Sequence, residues 1–192
     1  MNFINEHITS EQNENNICLI NSTDHILEIL TEFQEYLPPL KTSEEYRRNT
    51  AEKISNYAFC ILLREDDTDA GFGTIYANDM ENRTGYISFI AVSEDFRRRH
   101  FGTHLMDTLV AIAKQNQMEY VKIEVAKSNH TAQRFYLNYG YKYQCDASED
   151  SIYMILSIAD ITEQKKDIFN ISCSCGSMIK CTECNQFKVS AQ

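Results

Sequence analysis

The chain lacks a stretch apolar enough to cross a bilayer. Its longest uninterrupted apolar run is Tyr57 to Leu63, well short of the roughly 20 residues that a spanning helix needs. It also lacks a basic patch leading into an apolar segment at Met1-Asn-Phe-Ile-Asn-Glu6, so no secretory leader is read there and a cytoplasmic protein is expected. Positive charge is scarce, with 18 Lys and Arg against 28 Asp and Glu in 192 residues, a net charge of −10. Such a surface repels phosphate backbones and anionic lipid, which excludes a sequence-independent nucleic-acid binder and a membrane-surface protein. No internal repeat is visible. Without a secretory leader, the seven cysteines do not read as a disulfide framework. Cys18, Cys60 and Cys145 stand singly in apolar surroundings and read as small buried hydrophobes.

What is present is the composition of one globular domain, 43% hydrophobic and 24% charged. Residues 1–16 form a polar extension rich in Asn and Glu. Ile17–Ile20 is a short strand, and Ser22-Thr-Asp24 can cap a helix from about His25 to Tyr36. Pro38-Pro39 stops that helix, since neither residue donates a backbone hydrogen bond. Thr42 and Glu45 have capping-box spacing and open a second helix reaching Asn56. Three strands follow at Ala58–Arg64, Ala70–Ala77 and Thr84–Val92, separated by segments of turn composition. A helix from Gly102 to Gln117, a strand at Val121–Val125 and a helix from Thr131 to Tyr139 come next. The strand pair Tyr141–Cys145 and Ser151–Ile158 closes the pattern. The expectation is a mixed α/β (α+β) domain over 17–158, with six to seven strands and about four helices, followed by a Cys-rich tail over 159–192.

The chemistry is concentrated between Ile90 and Met106. A strand ends at Val92, a basic turn follows (Arg97-Arg98-Arg99-His100), and a helix opens near Gly102. A strand-to-helix turn leaves unpaired amides at the helix entrance, where the dipole adds partial positive charge. Three consecutive arginines strengthen that entrance as a phosphate site, against the plainer alternative of a solvated basic turn. From Arg97 to Arg134 the chain carries a net +4, leaving −14 on the remainder. A small polyanionic ligand is drawn to this segment.

These residues resemble the GNAT superfamily of acetyl-CoA-dependent N-acetyltransferases. In that family a small-apolar-Val strand end feeds an Arg/Gln-x-x-Gly-x-Gly/Ala turn, matched here by Arg97, His100 and Gly102. Histidine stands where the family has its first loop glycine. A second block, Asn-x-x-Ala-x-x-Phe-Tyr-x-x-x-Gly-Phe/Tyr, is matched by Asn129, Ala132, Phe135, Tyr136, Gly140 and Tyr141. The resemblance implies that two central parallel strands splay apart around acetyl-CoA. It implies backbone contacts from Ile90, Ala91 and Val92 to the pantetheine arm and thioester oxygen. The loop Arg97, Arg98, Arg99, His100, Phe101, Gly102 and Thr103 would bind the cofactor, its amides from Arg98 to Thr103 holding the pyrophosphate. Asn129 would bond the cofactor arm, and Tyr136 would protonate the departing thiolate.

Glu124 is the candidate general base. It stands five residues before Asn129, the spacing of the base in the ribosomal-protein alanine N-acetyltransferase branch. On its strand it faces away from Val121, Ile123 and Val125. The alternative is a strand carboxylate paired with Lys122 or Lys127. The implied partners are acetyl-CoA and an amine acceptor, on a monomer or homodimer. A small amine or amino-sugar is the first expectation for the acceptor, and a protein N-terminus or lysine the second. A non-catalytic coenzyme A-binding protein is the rival of another class. Tyr46, Arg47 and Arg48 are expected on the acceptor wall. In the tail, Cys173, Cys175, Cys181 and Cys184 form a candidate four-thiolate zinc site, the alternative being free thiols.

Overall fold

The computed structural model describes residues 16–164, 171–173 and 186–189. Strand β1 (Asn16–Ile20) leads to helix α1 (Thr23–Glu32), two short 3-10 turns and helix α2 (Glu44–Tyr57). Strands β2 (Phe59–Glu65), β3 (Thr68–Tyr76) and β4 (Thr84–Val92) precede helix α3 (Phe101–Gln115). Strand β5 (Tyr120–Ala126), helix α4 (His130–Tyr139) and strands β6 (Lys142–Asp146) and β7 (Ser151–Ser157) complete the expected order. The chain continues into α5 (Ile158–Gln164), β8 (Ile171–Cys173) and β9 (Gln186–Val189).

Local chemistry accounts for most of these boundaries. Ser22 caps α1 by accepting from the His25 amide, and Gly140, at φ +120°, ends α4. The cap of α2 differs from the Thr42–Glu45 expectation. Thr42 has helical backbone (φ −61°, ψ −58°) and closes the turn Pro38–Lys41, donating to the Pro39 carbonyl at 2.8 Å. Ser43 has the extended backbone that a cap needs, and its hydroxyl accepts from the Tyr46 amide at 3.0 Å. The two prolines do not end α1 directly. They occupy the first positions of that second 3-10 turn, where a missing N–H is harmless.

One sheet runs β6-β7-β5-β4-β3-β2-β1-β9-β8, with every neighbouring pair antiparallel except β4 and β5. The first seven strands are those expected, and β9 and β8 extend the sheet beyond β1. Alternate residues feed two cores. Cys60, Leu62 and Phe72 pack under α1 and α2, while Ile61, Leu63 and Ile75 pack with α3 and α4 on the other face. The segment after residue 158 contributes Ile158 and Ile161 to the second core. Cys60 is buried as expected, and burial pushes its thiol up to about 12. Cys18 is half-buried, and Cys145 is exposed on the edge strand β6, against the buried reading. Cys173 ends β8; Cys175, Cys181 and Cys184 lie outside the described residues.

The sheet departs from regularity at one consequential place. The register of β3 and β4 shifts between Thr74 and Ile75, which pair with Phe89 and Ile87, so that Ser88 is the extra residue of a bulge. Thr74, fully buried, satisfies the bulge through its side chain. Its hydroxyl accepts from the Phe89 amide at 3.1 Å and lies 2.7 Å from the Ser88 hydroxyl. Thr74→Val keeps the shape and leaves that amide without its partner. Urea denaturation is expected to show a loss of about 1–3 kcal/mol, the cost of an unsatisfied buried donor; an unchanged midpoint would mean that the bulge does not depend on this bond.

Candidate active site

Strands β4 and β5 run parallel but share a ladder over only four positions, from Thr84 opposite Tyr120 to Ile87 opposite Ile123. Beyond the bulge the two strands have no ladder between them, so β4 from Ser88 to Val92 and β5 from Glu124 to Ala126 stand apart. Backbone donors and acceptors on the facing edges then await another partner. A cleft of about 930 Å³ opens there, lined by Ile90, Ala91 and Val92 and by the entrances to α3 and α4.

The loop before α3 is built as an amide cradle. Arg98 and His100 both have left-handed backbone, at φ 62° and 66°. Left-handed residues alternating through a turn direct successive N–H groups into one concavity, an anion-binding arrangement at a helix entrance. Histidine thus adopts the backbone that glycine supplies in the matching motif, with a strain of about 1–2 kcal/mol. Arg97, Arg98, His100, Gly102 and Thr103 line the cleft. The Arg97 guanidinium stands 5.1 Å over the Tyr36 ring, and its Nε donates to the Val92 carbonyl at 3.3 Å. Arg99 turns the other way: its Nη2 donates to both Glu65 oxygens at 2.6 and 2.7 Å, and its guanidinium stacks on Phe96 and Phe101. Phe101 is 2% exposed in the core. For Arg99 and Phe101, only the main-chain amides remain available to a ligand.

Gly102 tests whether the cradle fits a phosphate-bearing carrier. A methyl group there would meet Phe135 at 3.6 Å and Val92 at 3.9 Å, ordinary contacts that the fold accepts. Packing therefore does not demand glycine. Gly102 lines the cleft, and the space left by its missing side chain is open to a ligand there.

At the second motif, Asn129 caps α4, its side-chain oxygen accepting from the Ala132 amide at 3.1 Å. Its side-chain nitrogen remains to donate into the cleft. Tyr136 is 6% exposed among the rings of Phe135 and Tyr141, and it also lines the cleft. Burial raises its phenol well above the ordinary value.

Glu124 lies outside that cleft, on the opposite face of β5 from the Val121–Ile123–Val125 core. It is the first residue of β5 beyond the shared ladder with β4. Ser151 Oγ donates to its Oε1 at 2.5 Å, and Ser148 lies 2.7 Å behind Ser151. Neither neighbouring lysine pairs with it: Lys127 bonds Asp146 at 3.1 Å, and Lys122 stands 4.5 Å over the Tyr153 ring. The arginines expected on the acceptor wall are committed elsewhere, Arg47 to the Leu40 carbonyl and Arg48 to Glu44. Tyr36, Ser151 and the Thr74–Ser88 pair escaped the sequence reading, although the proline pair just after Tyr36 marks where the chain turns toward the cleft.

Parted parallel strands beside an amide-lined helix entrance form a site able to hold a phosphate-bearing carrier. The profile of the acetyltransferase (GNAT) family matches residues 25–141, and the chain belongs to that family. A candidate ribosomal protein bS18-alanine N-acetyltransferase of Bacillus subtilis (strain 168) is 27% identical over 143 residues, spanning 70% of this chain and 89% of its own. The ribosomal-protein-S18-alanine N-acetyltransferase of Escherichia coli shares the fold, with a TM-score of 0.61 at 20% identity over 75% of this chain and 94% of that one. So does the PaiA N-acetyltransferase of Thermoplasma acidophilum in complex with coenzyme A, with a TM-score of 0.56 at 16% identity over 73% and 98%.

Two substitutions probe the cradle. Gly102→Ala should fold as well as the parent or better, since alanine is favoured over glycine within a helix by about 1 kcal/mol, yet lose acetyl-CoA affinity in calorimetry. Undiminished affinity would remove the close approach at Gly102. His100→Gly relieves left-handed strain and is expected to retain or tighten acetyl-CoA binding; weaker binding would show that the imidazole itself contacts the ligand.

Proposed function

We propose that this acetyltransferase moves an acetyl group from acetyl-CoA to the free α-amine of a polypeptide, by direct attack in a ternary complex. Of the two acceptor classes expected from the sequence, the polypeptide amine is the better supported. The observation that carries the reading is the position of Glu124. Its carboxylate stands where β4 and β5 part, on the sheet face that α1 and α2 leave open above β5 and β7. The alanine-N-acetyltransferase name of the Bacillus subtilis relative supports the same class.

In this reading the loop amides from Arg98 to Thr103 hold the pyrophosphate, with Arg97 and Arg98 adding charge at the cleft. The β4 edge at Ile90–Val92 binds the carrier arm and donates to the thioester oxygen, where negative charge develops. Acetyl-CoA supplies the activated acetyl group; the protein supplies orientation, a proton acceptor and a hydrogen-bond donor for the departing sulfur. Glu124, held by Ser151, takes the proton from the acceptor ammonium. An α-amine titrates near 7.7–8.0 and lysine near 10.4, so the α-amine yields its proton roughly a few hundred times more readily. That difference matters for a carboxylate base. Tyr136 donates toward the departing sulfur from the other side.

Thiol release from acetyl-CoA with three acceptors tests the reading: a peptide with a free N-terminus, the same peptide N-blocked but carrying lysine, and a panel of polyamines and amino-sugars. Turnover is expected with the first alone; turnover confined to small amines would overturn it. Glu124→Gln should lower kcat by about 10²- to 10⁴-fold and Tyr136→Phe by about 10²- to 10³-fold, the cost of one lost hydrogen-bond donor to developing charge, each leaving the Kd for acetyl-CoA nearly unchanged.

A further inference from the structure

A second cavity, of about 610 Å³, lies on the same open face as Glu124 and apart from the cleft. Four of the eleven tyrosines line it, Tyr76, Tyr86, Tyr120 and Tyr153, together with Asn78, Asn82, Asp79, Gln144 and Lys122. It adjoins the candidate base directly. Tyr153 is the cross-strand partner of Glu124, and the Glu124 carboxylate beside Tyr86, added to burial, pushes that phenol up to about 12. From there the cavity extends back along β5 past Lys122 to Tyr120.

We infer that this groove binds the first four or five residues of an unfolded polypeptide acceptor, with the α-amine at Glu124 and the chain running toward Tyr120; the inference rests on the acceptor class proposed above. Three observations carry it. The first is length. At about 3.3 Å per extended residue, Lys122 lies roughly 7 Å and Tyr120 roughly 13 Å from Glu124 along the strand, which are the reaches of a third and a fifth residue. The second is hydrogen-bonding polarity. Asn78 donates its amide to the Tyr57 carbonyl, outside the groove, and Asn82 donates to both oxygens of Asp79, so the donors of both are engaged within the protein. Their side-chain carbonyl oxygens are left to accept, which suits the N–H groups of a peptide. The third is charge. Lys122 lies over Tyr153 within electrostatic reach of Asp79 and makes no ion pair among the described residues, while Glu124 is two positions away. Lys122 stands against two carboxylates, Asp79 and Glu124, so the groove is negative by one charge and suits an incoming ammonium. Its other contacts are aromatic faces and amides, a combination that gives broad contact area at low entropic cost. Selection along the groove therefore acts on chain length and apolar side chains.

The experiment measures kcat/KM for peptides of two to six residues that share one N-terminal residue, in the parent enzyme and in Tyr120→Ala. Tyr120 is 40% exposed, so its loss leaves the core intact. From two to five residues kcat/KM should rise roughly tenfold, then level off at six; aromatic contacts of about 1 kcal/mol each correspond to factors of this size. In Tyr120→Ala most of that rise should vanish, with the dipeptide as the internal reference. As an independent measure on the parent enzyme, an N-acetylated pentapeptide should inhibit more tightly than the N-acetylated dipeptide. Turnover of peptides that is flat with length, with equal inhibition by both products, overturns the groove and leaves the acceptor class standing. Absence of turnover with every peptide overturns the acceptor class and the groove with it.

Discussion

Everything distinctive in this molecule depends on how briefly β4 and β5 stay together. Four shared positions are enough to set the strands parallel and to bring α3 back across the sheet as a crossover. The ladder then stops because Ser88 adds a residue to β4 and changes its course, and Thr74 makes that extra residue tolerable by supplying the bond it lacks. The extra residue also changes which side chains face which way. Tyr86 and Ser88 face the open side, and after the bulge Phe89 and Ala91 face α1 and α2 while Ile90 and Val92 face α3. One buried hydroxyl thus serves both the cleft and the acceptor face.

The three arginines divide according to backbone. Alternating left-handed residues at 98 and 100 send consecutive side chains in opposite directions, so a run that looks uniform in sequence does two jobs. Arg99 ties the loop to Glu65, whose carboxylate is mostly buried at 15% exposure, and caps two rings of the core. A contact in which one guanidinium nitrogen is shared by both oxygens of a mostly buried carboxylate is screened less by solvent than a surface ion pair. It holds the loop in its strained form before a ligand arrives, so the cost of ordering the cradle falls on folding and not on binding.

The element order was legible because it rests on local signals: alternation, helical periodicity, a glycine stop at Gly140 and a cap in the Ser22–Asp24 cluster. The parallel pair and the cleft residues at both motifs came through the family resemblance, and the capping role of Asn129 went unread. What else was missed depends on pairings between segments distant in sequence. Thr74 meets Ser88 across a register shift, Ser151 reaches Glu124 from another strand, and Arg99 finds Glu65 across the sheet, none of which leaves a periodic trace. The reading of Thr42 as the cap, where the structure uses Ser43, failed for a smaller reason. Both are good cap residues, and only the proline-led turn before them decides which one is extended. Residues after 158 looked polar because a short helix needs only Ile158 and Ile161 to dock.

The proposed donor and acceptor of protons stand on opposite faces of β5, and their settings differ accordingly. Tyr136 is buried, and burial raises its phenol above the ordinary 10. A phenol raised by burial holds its proton more firmly than a free one. Tyr136 is therefore better suited to donate a hydrogen bond that holds the charge growing on sulfur than to surrender its proton outright. The same burial strengthens that bond, because few water molecules compete for it. The proton that finally rests on sulfur can then come from water at the mouth of the cleft. Glu124, exposed on the other face, can return the proton taken from the acceptor to bulk solvent without crossing the sheet. On this division the sheet does more than part its strands for the carrier: it sets amine deprotonation on its open, solvated face and sulfur stabilisation on its buried one.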